Sequence, residues 1–252
     1  MATIYGKLTK DRFAPTMPVH TPVTRSKSSP IEYRDVDSLT FSYRTDAQTV
    51  AEIVPSVLEL DENPVATLSF LSYGFSTAGA YREVVHAVGC RFQGRELSYA
   101  LHVFVTSDLA LVRGREIMGY PKLFADINFD PKRVGYDGLI TASMERPTGL
   151  LLATGQFQAS DRIEGLPEPT VRLNVKPTIS KLPGQPPVSF AVVPASVETT
   201  AGERWAGTGS VKLTGLSDFS PLHRAPVVES LGAVLLRDGA MRLASTTEAY
   251  PL

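Results

Sequence analysis

The chain has 252 residues, of which 43% are hydrophobic and 20% are charged, so it is long enough to bury a large core. Length alone permits one large β domain or two smaller ones. The formal net charge of −1 gives no reason to expect a nucleic acid or an anionic membrane as a partner. A single cysteine, Cys90, excludes an internal disulfide and a cysteine metal cluster.

The N-terminus lacks the apolar run of a signal peptide. No stretch approaches the roughly 18 apolar residues of a membrane-spanning helix. A single cysteine fits a reducing compartment, and we therefore expect a cytoplasmic protein.

Residues 1–30 carry Pro15, Pro18, Pro22 and Pro30 among scattered serines and threonines. This composition, with little periodicity, predicts an N-terminal arm or long loop that could serve as a strap between subunits. No repeat or linker divides the remainder, so residues 31–252 are expected to form a single domain.

Alternation of apolar and polar residues over 38–43 predicts a strand, and Thr45 or Asp46 can cap a short helix that Pro55 ends. The same patterns, with turn signals between them, predict further strands at 65–73, 84–92, 97–105, 124–129, 139–145, 150–159, 171–175, 188–193, 211–216 and 240–245. Residues 227–236 fit either a helix or a buried strand, and residues 177–187 are expected to be a loop.

Closely spaced strands with few long helical patterns indicate an antiparallel barrel or paired sheets. The fold class predicted here is therefore mainly β, a β-rich α+β protein with antiparallel barrel-like sheets and a few short helices.

Several common functional motifs are missing. Neither the phosphate-binding P-loop nor the dinucleotide-binding glycine pattern occurs in the chain. The histidines His20, His86, His102 and His223 are isolated in the sequence, and we expect no bound metal.

One lysine, Lys122, follows a Gly-Tyr-Pro turn and precedes Leu123 and Phe124. Proline stiffens the turn, so the lysine could be held against apolar neighbours and desolvated. Desolvation disfavours the ammonium form and leaves a neutral amine that can attack a carbonyl. The alternative is a surface lysine whose stem lies on its apolar neighbours, and residues 114–124 by themselves favour it.

The residues alone do not decide the roles of two further groups. Glu83 adjoins an apolar strand, where a carboxylate is costly unless it is paired or functional, but an exposed strand end also explains it. Arg113 and Arg115 with Glu116 form either a solvated charge cluster or the polar rim of a site.

A set of segments in order over residues 31–250 resembles the acetoacetate decarboxylase family. These segments are Tyr43-Arg44-Thr45-Asp46, Pro-Ser-Val-Leu-Glu-Leu at 55–60, Gly-Ala-Tyr-Arg-Glu at 79–83, Gly-Arg-Glu at 114–116, Gly-Tyr-Pro-Lys at 119–122, Trp-Ala-Gly at 205–207, and residues 221–236. No segment is specific alone, and the ordered set carries the resemblance.

The resemblance implies a barrel-like, homo-oligomeric protein with a buried lysine that forms a Schiff base with a small keto acid, without a metal or organic cofactor. Acetoacetate decarboxylase itself is the usual example of a lysine activated by desolvation or by a neighbouring cation. By motif, Lys122 matches that lysine and Glu83 matches a glutamate of the same pocket. Tyr81 and Tyr120, which flank these positions, are expected to contact substrate.

The sequence also departs from the family pattern. The founding enzymes have a second lysine where Leu123 stands, so activation of Lys122 would come chiefly from burial. An arginine expected near Val36 is absent, and Arg34, two residues away on the same strand face, is a candidate substitute, as is Arg115. A second glutamate, expected in the strand that holds Leu68, is absent too.

These departures leave three functional hypotheses. The first is a lyase that decarboxylates a small, acetoacetate-like β-keto acid. The second is an aldolase–dehydratase that joins a 2-oxo acid such as pyruvate to an aldehyde. The third is a non-catalytic barrel that binds a small molecule.

Overall fold

A computed structural model of the chain describes residues 3–20, 30–132, 138–245 and 248–252. The strands in chain order are β1 (Ile31–Arg44), β2 (Val65–Ser76), β3 (Tyr81–Phe92), β4 (Arg95–Val105), β5 (Lys122–Phe124), β6 (Asp126–Phe129), β7 (Leu139–Glu145), β8 (Leu151–Ile163), β9 (Thr170–Thr178), β10 (Ser189–Leu213), β11 (Glu229–Ser245) and β12 (Tyr250–Pro251). The helices are α1 (Ala47–Ala51), α2 (Asp108–Val112), 3₁₀ turns at Lys10–Arg12 and Leu222–Arg224, and a π-helical turn at Arg113–Ile117. The predicted mainly β, barrel-like fold is confirmed.

A closed ring of strands forms the barrel. The order β11–β1–β2–β3–β4–β9–β10 returns to its start because β10 also pairs with β11. Neighbours in the ring are antiparallel except β4 and β9, which run parallel over a short contact. The short strand β5 lies along the same strand β4, also in parallel. The predicted antiparallel pairing thus holds for most of the sheet, with parallel contacts around β4.

A second layer of strands covers one side of the barrel. Strands β6, β7 and β8 continue from the long strand β10, and their apolar side chains pack against the outer face of β1 to β4. Phe41 and Phe70 from the barrel meet Phe129 and Phe157 from the second layer, and all four side chains are almost completely buried. Each of strands β1 to β4 therefore has one face on this core and the other face inside the barrel.

Most predicted elements are present, with differences in extent. Asp46 caps α1 by accepting a hydrogen bond from the Thr49 backbone at 2.8 Å. Gln93 and Gly94 form the predicted turn, both with positive φ. Residues 227–236, which fitted either a helix or a strand, belong mostly to β11. The separately predicted strands at 188–193 and 211–216 overlap the two ends of one long strand, β10, whose first half pairs with β9 and second half with β8.

The N-terminal arm is described over residues 3–20, and residues 21–29 of the predicted arm lie outside the described part. Thr16 is buried, and the backbone of Met17 donates a hydrogen bond to Glu116 at 3.2 Å. The arm therefore touches the π-helical turn of its own chain. Among the described residues, no helix has both the length and the apolar character needed to cross a bilayer.

Two histidines that are 16 positions apart in the sequence contact each other on the outer face of the barrel. His86 and His102 stack with ring centroids 5.5 Å apart, and their Nδ1 atoms are 3.2 Å apart. The Tyr43 hydroxyl donates to the Ala225 carbonyl and lies 2.7 Å from His86 Nε2. The His86 ring thus hydrogen-bonds at both nitrogens, and burial keeps it neutral at pH 7 by lowering its pKa. The pair lies on the sheet face opposite the barrel interior.

The histidine pair predicts that stability falls in mild acid. Burial lowers the pKa of His102 to about 4, and burial together with the nearby His102 lowers the pKa of His86 well below its usual value. An unfolded histidine titrates near pH 6.5, so between about pH 6.5 and pH 4 the unfolded state binds more protons and stability drops as pH falls. We expect the free energy of unfolding in urea to decrease by about 2 kcal/mol between pH 7 and pH 5 from His102 alone.

The variant His102→Gln should lose much of this pH dependence. His20→Gln, which changes an exposed histidine of the arm, provides the matched control and should behave as the wild type. An unchanged pH dependence in His102→Gln would show that the cluster does not control acid stability.

Candidate active site

The lysine singled out by the sequence, Lys122, begins strand β5 after a tightly folded turn. The Tyr120 backbone donates to the Gly114 carbonyl at 2.9 Å, and the Lys122 backbone donates to the Tyr120 carbonyl at 2.7 Å. Gly119 has a φ of +75°, and a Cβ there would lie 2.7 Å from Lys176 Cβ, so the turn requires glycine. Lys176 also donates to the Ile117 carbonyl at 2.8 Å and fastens the turn to β9.

The amine of Lys122 points into the barrel and pairs with Glu83. The Nζ to Oε2 distance is 2.6 Å, and the two side chains are only 7% and 10% exposed. Both residues sit beside β4, with Glu83 opposite Val105 on one edge and Lys122 opposite Val103 on the other. The ion pair thus spans β4 on its inner face, and the reading of Glu83 as an exposed strand end is wrong.

Tyrosine side chains surround this ion pair. The Nζ atom lies 5.8 Å from the centre of the Tyr81 ring and 5.7 Å from that of Tyr120. Tyr33 and Tyr73 extend the same wall, with ring centroids 4.5 Å apart. These rings remove the amine from water and offer it attractive cation–π contacts.

The phenols stay neutral in this environment. Burial raises the pKa of Tyr73 and Tyr81 well above the usual value, and the nearby Glu83 carboxylate raises it further. Burial also raises the pKa of Tyr120. Neutral phenols can donate hydrogen bonds to a bound anion or to a developing oxyanion without competing for the lysine charge.

The stem of Lys122 lies against Gly114 in the π-helical turn. A Cβ at Gly114 would lie 2.4 Å from Lys122 Cδ and 2.7 Å from Cε, so only glycine leaves space for this lysine conformation. Arg115 in the same turn donates from Nη1 to the Lys122 carbonyl at 3.0 Å. The Gly-Arg segment therefore positions the lysine from both its side chain and its backbone.

The apolar environment of the amine does not come from Leu123 and Phe124, as the sequence suggested. Alternate residues of a strand face opposite ways, so Leu123 packs on the core between the two layers, away from the cavity. Phe124 is about half exposed. The tyrosine wall supplies the desolvation instead.

A cavity of about 390 Å³ occupies the barrel interior and includes both Lys122 and Glu83. Many of its other walls carry hydroxyl groups. The lining residues that bear a hydroxyl are Tyr33, Ser38, Thr40, Thr67, Ser69, Tyr73, Ser98, Tyr120, Thr170 and Thr199. Arg172, Arg204 and Glu168 add charges, and the remaining lining is apolar, most of it from β10 and β11. The described residues contain no group of three or more potential metal ligands.

The structure does not bring Arg34 into this cavity. Asp35 adopts a φ of 51°, and the pairing of β1 shifts register between Arg34 and Val36. This bulge reverses the alternation, so Tyr33 faces the cavity while Arg34 is exposed. The expectation that Arg34 and Val36 share a strand face is therefore wrong.

The other predicted substrate contacts have different placements. Tyr120 lines the cavity. Tyr81 is buried beside the ion pair, with its hydroxyl 3.4 Å from Glu83 Oε2. Arg115 is exposed and does not line the cavity, because its guanidinium is turned to the Lys122 backbone. Its neighbour Arg113 is buried and donates to Thr77 at 3.3 Å.

Sequence reasoning missed Tyr33, Tyr73 and Arg172. Tyr33 depends on the bulge at Asp35, which has no clear signature in the sequence. Arg172 depends on the parallel contact of β9 with β4, which joins distant parts of the chain. The alternating hydroxyl residues of β1 and β2 were a visible signal, but a polar strand face normally indicates solvent rather than a cavity.

A family model and a relative of known name each match most of the chain. A family model described as acetoacetate decarboxylase matches residues 16–249. The chain is 29% identical to Decarboxylase DEC1 of Cochliobolus heterostrophus over 238 residues, which cover 93% of this chain and 94% of that protein.

Two solved structures are similar in fold. A structure described as acetoacetate decarboxylase superposes with a TM-score of 0.79 at 19% identity, covering 97% of this chain and 98% of the other. The enduracididine biosynthesis enzyme MppR, solved with the condensation product of pyruvate and imidazole 4-carboxaldehyde, superposes with a TM-score of 0.69 at 15% identity. That match covers 99% of this chain and 98% of the other.

The contact between Gly114 and Lys122 predicts that Gly114→Ala disturbs the amine. The new methyl group would occupy the place of Lys122 Cδ and Cε, so the lysine must move. We expect the rate at which borohydride traps a small ketone on Lys122 to fall by about 10²-fold, as for other small misplacements of reacting groups. The readout is mass spectrometry of the modified lysine.

Gly6→Ala is the matched control, because a Cβ at Gly6 meets no atom within 4 Å. It should trap at the wild-type rate. If Gly114→Ala traps ketone as fast as the wild type, close packing against Gly114 does not position the amine.

Proposed function

Because the chain belongs to the acetoacetate decarboxylase family, we propose that it is a lyase that decarboxylates a small β-keto acid through a Schiff base on Lys122. The observation that carries this proposal is the buried pair of Lys122 and Glu83, 2.6 Å apart, inside a cavity large enough for a small substrate. An amine held out of water beside a carboxylate has the two groups that imine formation needs, a nucleophile and a proton acceptor.

The first steps join the substrate to the lysine. Glu83 accepts a proton from Nζ, and the neutral amine adds to the ketone carbon of the substrate. The addition product then takes up a proton on its oxygen and loses water, which leaves a protonated imine on Lys122. Glu83, once more a carboxylate, pairs with the positive charge of the imine as it did with the ammonium.

Loss of carbon dioxide follows from the charge of the imine. The bond between the α-carbon and the carboxylate breaks, and its electron pair moves into the imine to give a neutral enamine. Glu83 takes up a proton from the solvent and donates it to the α-carbon, and this is the proton that the decarboxylation consumes overall. Water hydrolyses the new imine, which releases the ketone and restores Lys122. The imine itself is the electron sink in this scheme.

A second reaction of the same lysine is supported by the cavity and by the similarity to MppR. The cavity of about 390 Å³ has room for more than a four-carbon acid and could hold two small reactants. MppR, with the same fold, was solved with a condensation product of pyruvate. An aldolase–dehydratase would form the imine with a 2-oxo acid and add the resulting enamine to an aldehyde. It would then eliminate water, giving a conjugated product without carbon dioxide.

The two reactions separate in a simple assay. Acetoacetate should release carbon dioxide if the first proposal is right. Pyruvate with an aldehyde should give a new conjugated absorbance if the second is right. A protein that binds keto acids but is not labelled at Lys122 on borohydride reduction would instead be a non-catalytic binding barrel.

The proposal predicts that Lys122→Arg loses turnover, because a guanidinium stays protonated and cannot form an imine. Release of carbon dioxide and trapping by borohydride should both disappear, while the circular dichroism spectrum remains that of the folded protein. Lys132→Arg changes an exposed lysine that pairs with Asp35, and it should keep full activity. Residual activity of Lys122→Arg near the wild-type value would place the chemistry on another residue.

The proposal also predicts that Glu83→Gln slows the reaction without abolishing it. Glutamine cannot accept the proton from Nζ, and removal of a general acid or base costs roughly 10²–10⁴-fold in rate. Single-turnover release of carbon dioxide measures this step. Glu96→Gln, at an exposed strand glutamate, is the control and should be unaffected. Wild-type kinetics in Glu83→Gln would remove Glu83 from the mechanism.

A further inference from the structure

Arg172 on strand β9 lines the same cavity as Lys122. The mechanism proposed above gives this arginine no role. It lies beside Ser98 on the same edge of β4 that carries Lys122 beside Val103. Five residues of β4 separate the two contacts, or about 16 Å at roughly 3.3 Å per residue. Both long side chains line the cavity.

Tyr120 lies near both Lys122 and Arg172. Its ring centre is 5.7 Å from Lys122 Nζ, and it lines the same cavity as Arg172. The charge of Arg172 also acts on the hydroxyl groups of Tyr73 and Tyr120, where it opposes the rise in pKa caused by burial. The guanidinium is therefore near the tyrosine wall that encloses the amine.

One N–H group of the Arg172 guanidinium lacks a hydrogen-bond acceptor within the residues that the structure describes. Its Nε atom is buried and has no hydrogen-bond partner among the described residues. Glu168 lines the cavity too, but no ion pair within 4 Å joins it to Arg172 in the described part of the chain. By contrast, Arg204 in the same cavity donates to the Gly165 carbonyl at 3.3 Å. A buried N–H group without an acceptor is costly unless a ligand supplies one.

We propose that Arg172 binds the carboxylate of the keto acid whose carbonyl reacts with Lys122. A carboxylate offers the paired acceptor oxygens that match a guanidinium, and it would satisfy the buried Nε. This inference rests on the proposed function and adds to it the residue that recognises the carboxylate of the substrate. Arg172 touches substrate and determines specificity, whereas Lys122 and Glu83 carry the bond changes.

Holding the carboxylate also orients the bond that breaks. In a β-keto acid, the bond to the carboxylate must lie parallel to the π system of the imine before carbon dioxide can leave. A carboxylate fixed at Arg172 while the imine is fixed at Lys122 limits rotation about this bond. Arg172 loses its anionic partner when the carboxylate leaves as neutral carbon dioxide. Its contact with the substrate therefore acts before the bond breaks.

The test compares acetoacetate with acetone, which presents a ketone without a carboxylate. Borohydride trapping on Lys122 is measured over a range of concentrations for the wild type, Arg172→Gln and Arg34→Gln, the last at an exposed arginine outside the cavity. We expect the half-saturating concentration of acetoacetate to rise by about 10- to 100-fold in Arg172→Gln, the factor that charge-assisted hydrogen bonds contribute. Acetone trapping should not change, and Arg34→Gln should resemble the wild type with both compounds.

Two outcomes of this comparison overturn the inference. Equal trapping of acetoacetate by Arg172→Gln and the wild type would show that the carboxylate is bound elsewhere. A parallel loss of acetoacetate and acetone trapping would show that Arg172 supports the tyrosine wall rather than the substrate. Either result leaves the Schiff base on Lys122 in place, provided that the wild type is labelled.

A second measurement separates the inference from the proposed function. In Lys122→Met no imine can form, so calorimetric titration of this variant with acetoacetate reports carboxylate binding alone. Adding Arg172→Gln to Lys122→Met should abolish that binding. If the wild type is not labelled by either carbonyl compound, the Schiff-base proposal fails, and this titration still decides the role of Arg172. Binding that persists in the double variant overturns it.

Discussion

The ion pair between Lys122 and Glu83 is the constraint around which the barrel interior is arranged. Either charge alone would be expensive to bury, and removal of one partner would leave the other unpaired in the cavity. The pair therefore fixes the relation of β3 to β5 across β4, since Glu83 and Lys122 lie on opposite edges of that strand. The turn before Lys122 and the glycine against its stem hold the amine at the distance that the pair requires.

Strands β1 and β2 have an apolar outer face and a polar inner face. The outer face of β1 and β2 is apolar because it packs on the second layer, where Phe41 and Phe70 are buried. Their inner face carries hydroxyl side chains such as Thr40 and Ser69, which hydrogen-bond to each other at 2.9 Å. A polar strand face inside a closed barrel makes a cavity that can bind a polar molecule and still exclude bulk water.

Local sequence patterns predicted much of the fold, because strand alternation and turn residues act over short distances. The strands, the cap at Asp46 and the turn at Gln93 were visible in this way. The bulge at Asp35 was not, since a positive φ at an aspartate leaves no distinct pattern, and its consequence for Arg34 was therefore missed. The joining of β9 to β4 was also hidden, because it depends on pairing between distant segments.

In the candidate site, too, the features set by local sequence were predicted and those set by distant segments were not. The rigid turn and the motif resemblance identified Lys122, and the resemblance assigned Glu83 to its pocket. The surroundings of the amine were predicted wrongly, because Leu123 and Phe124 are its neighbours in sequence but not in the cavity. The residues that do surround it come from four different strands or turns, represented by Tyr33, Tyr73, Tyr81 and Tyr120. Such an arrangement can be read only after the strands are in register.

Strand geometry also explains why Leu123 can stand where the founding enzymes have a second lysine. The residue after Lys122 faces the core between the two layers, so a cation there would need a partner outside the cavity. Leucine at this position removes no charge from the cavity wall. Any cation that meets the substrate must instead come from another strand, and β9 provides one in Arg172. In the mechanism proposed above, the reacting groups Glu83 and Lys122 belong to β3 and β5, while the carboxylate is bound from β9, outside the ion pair.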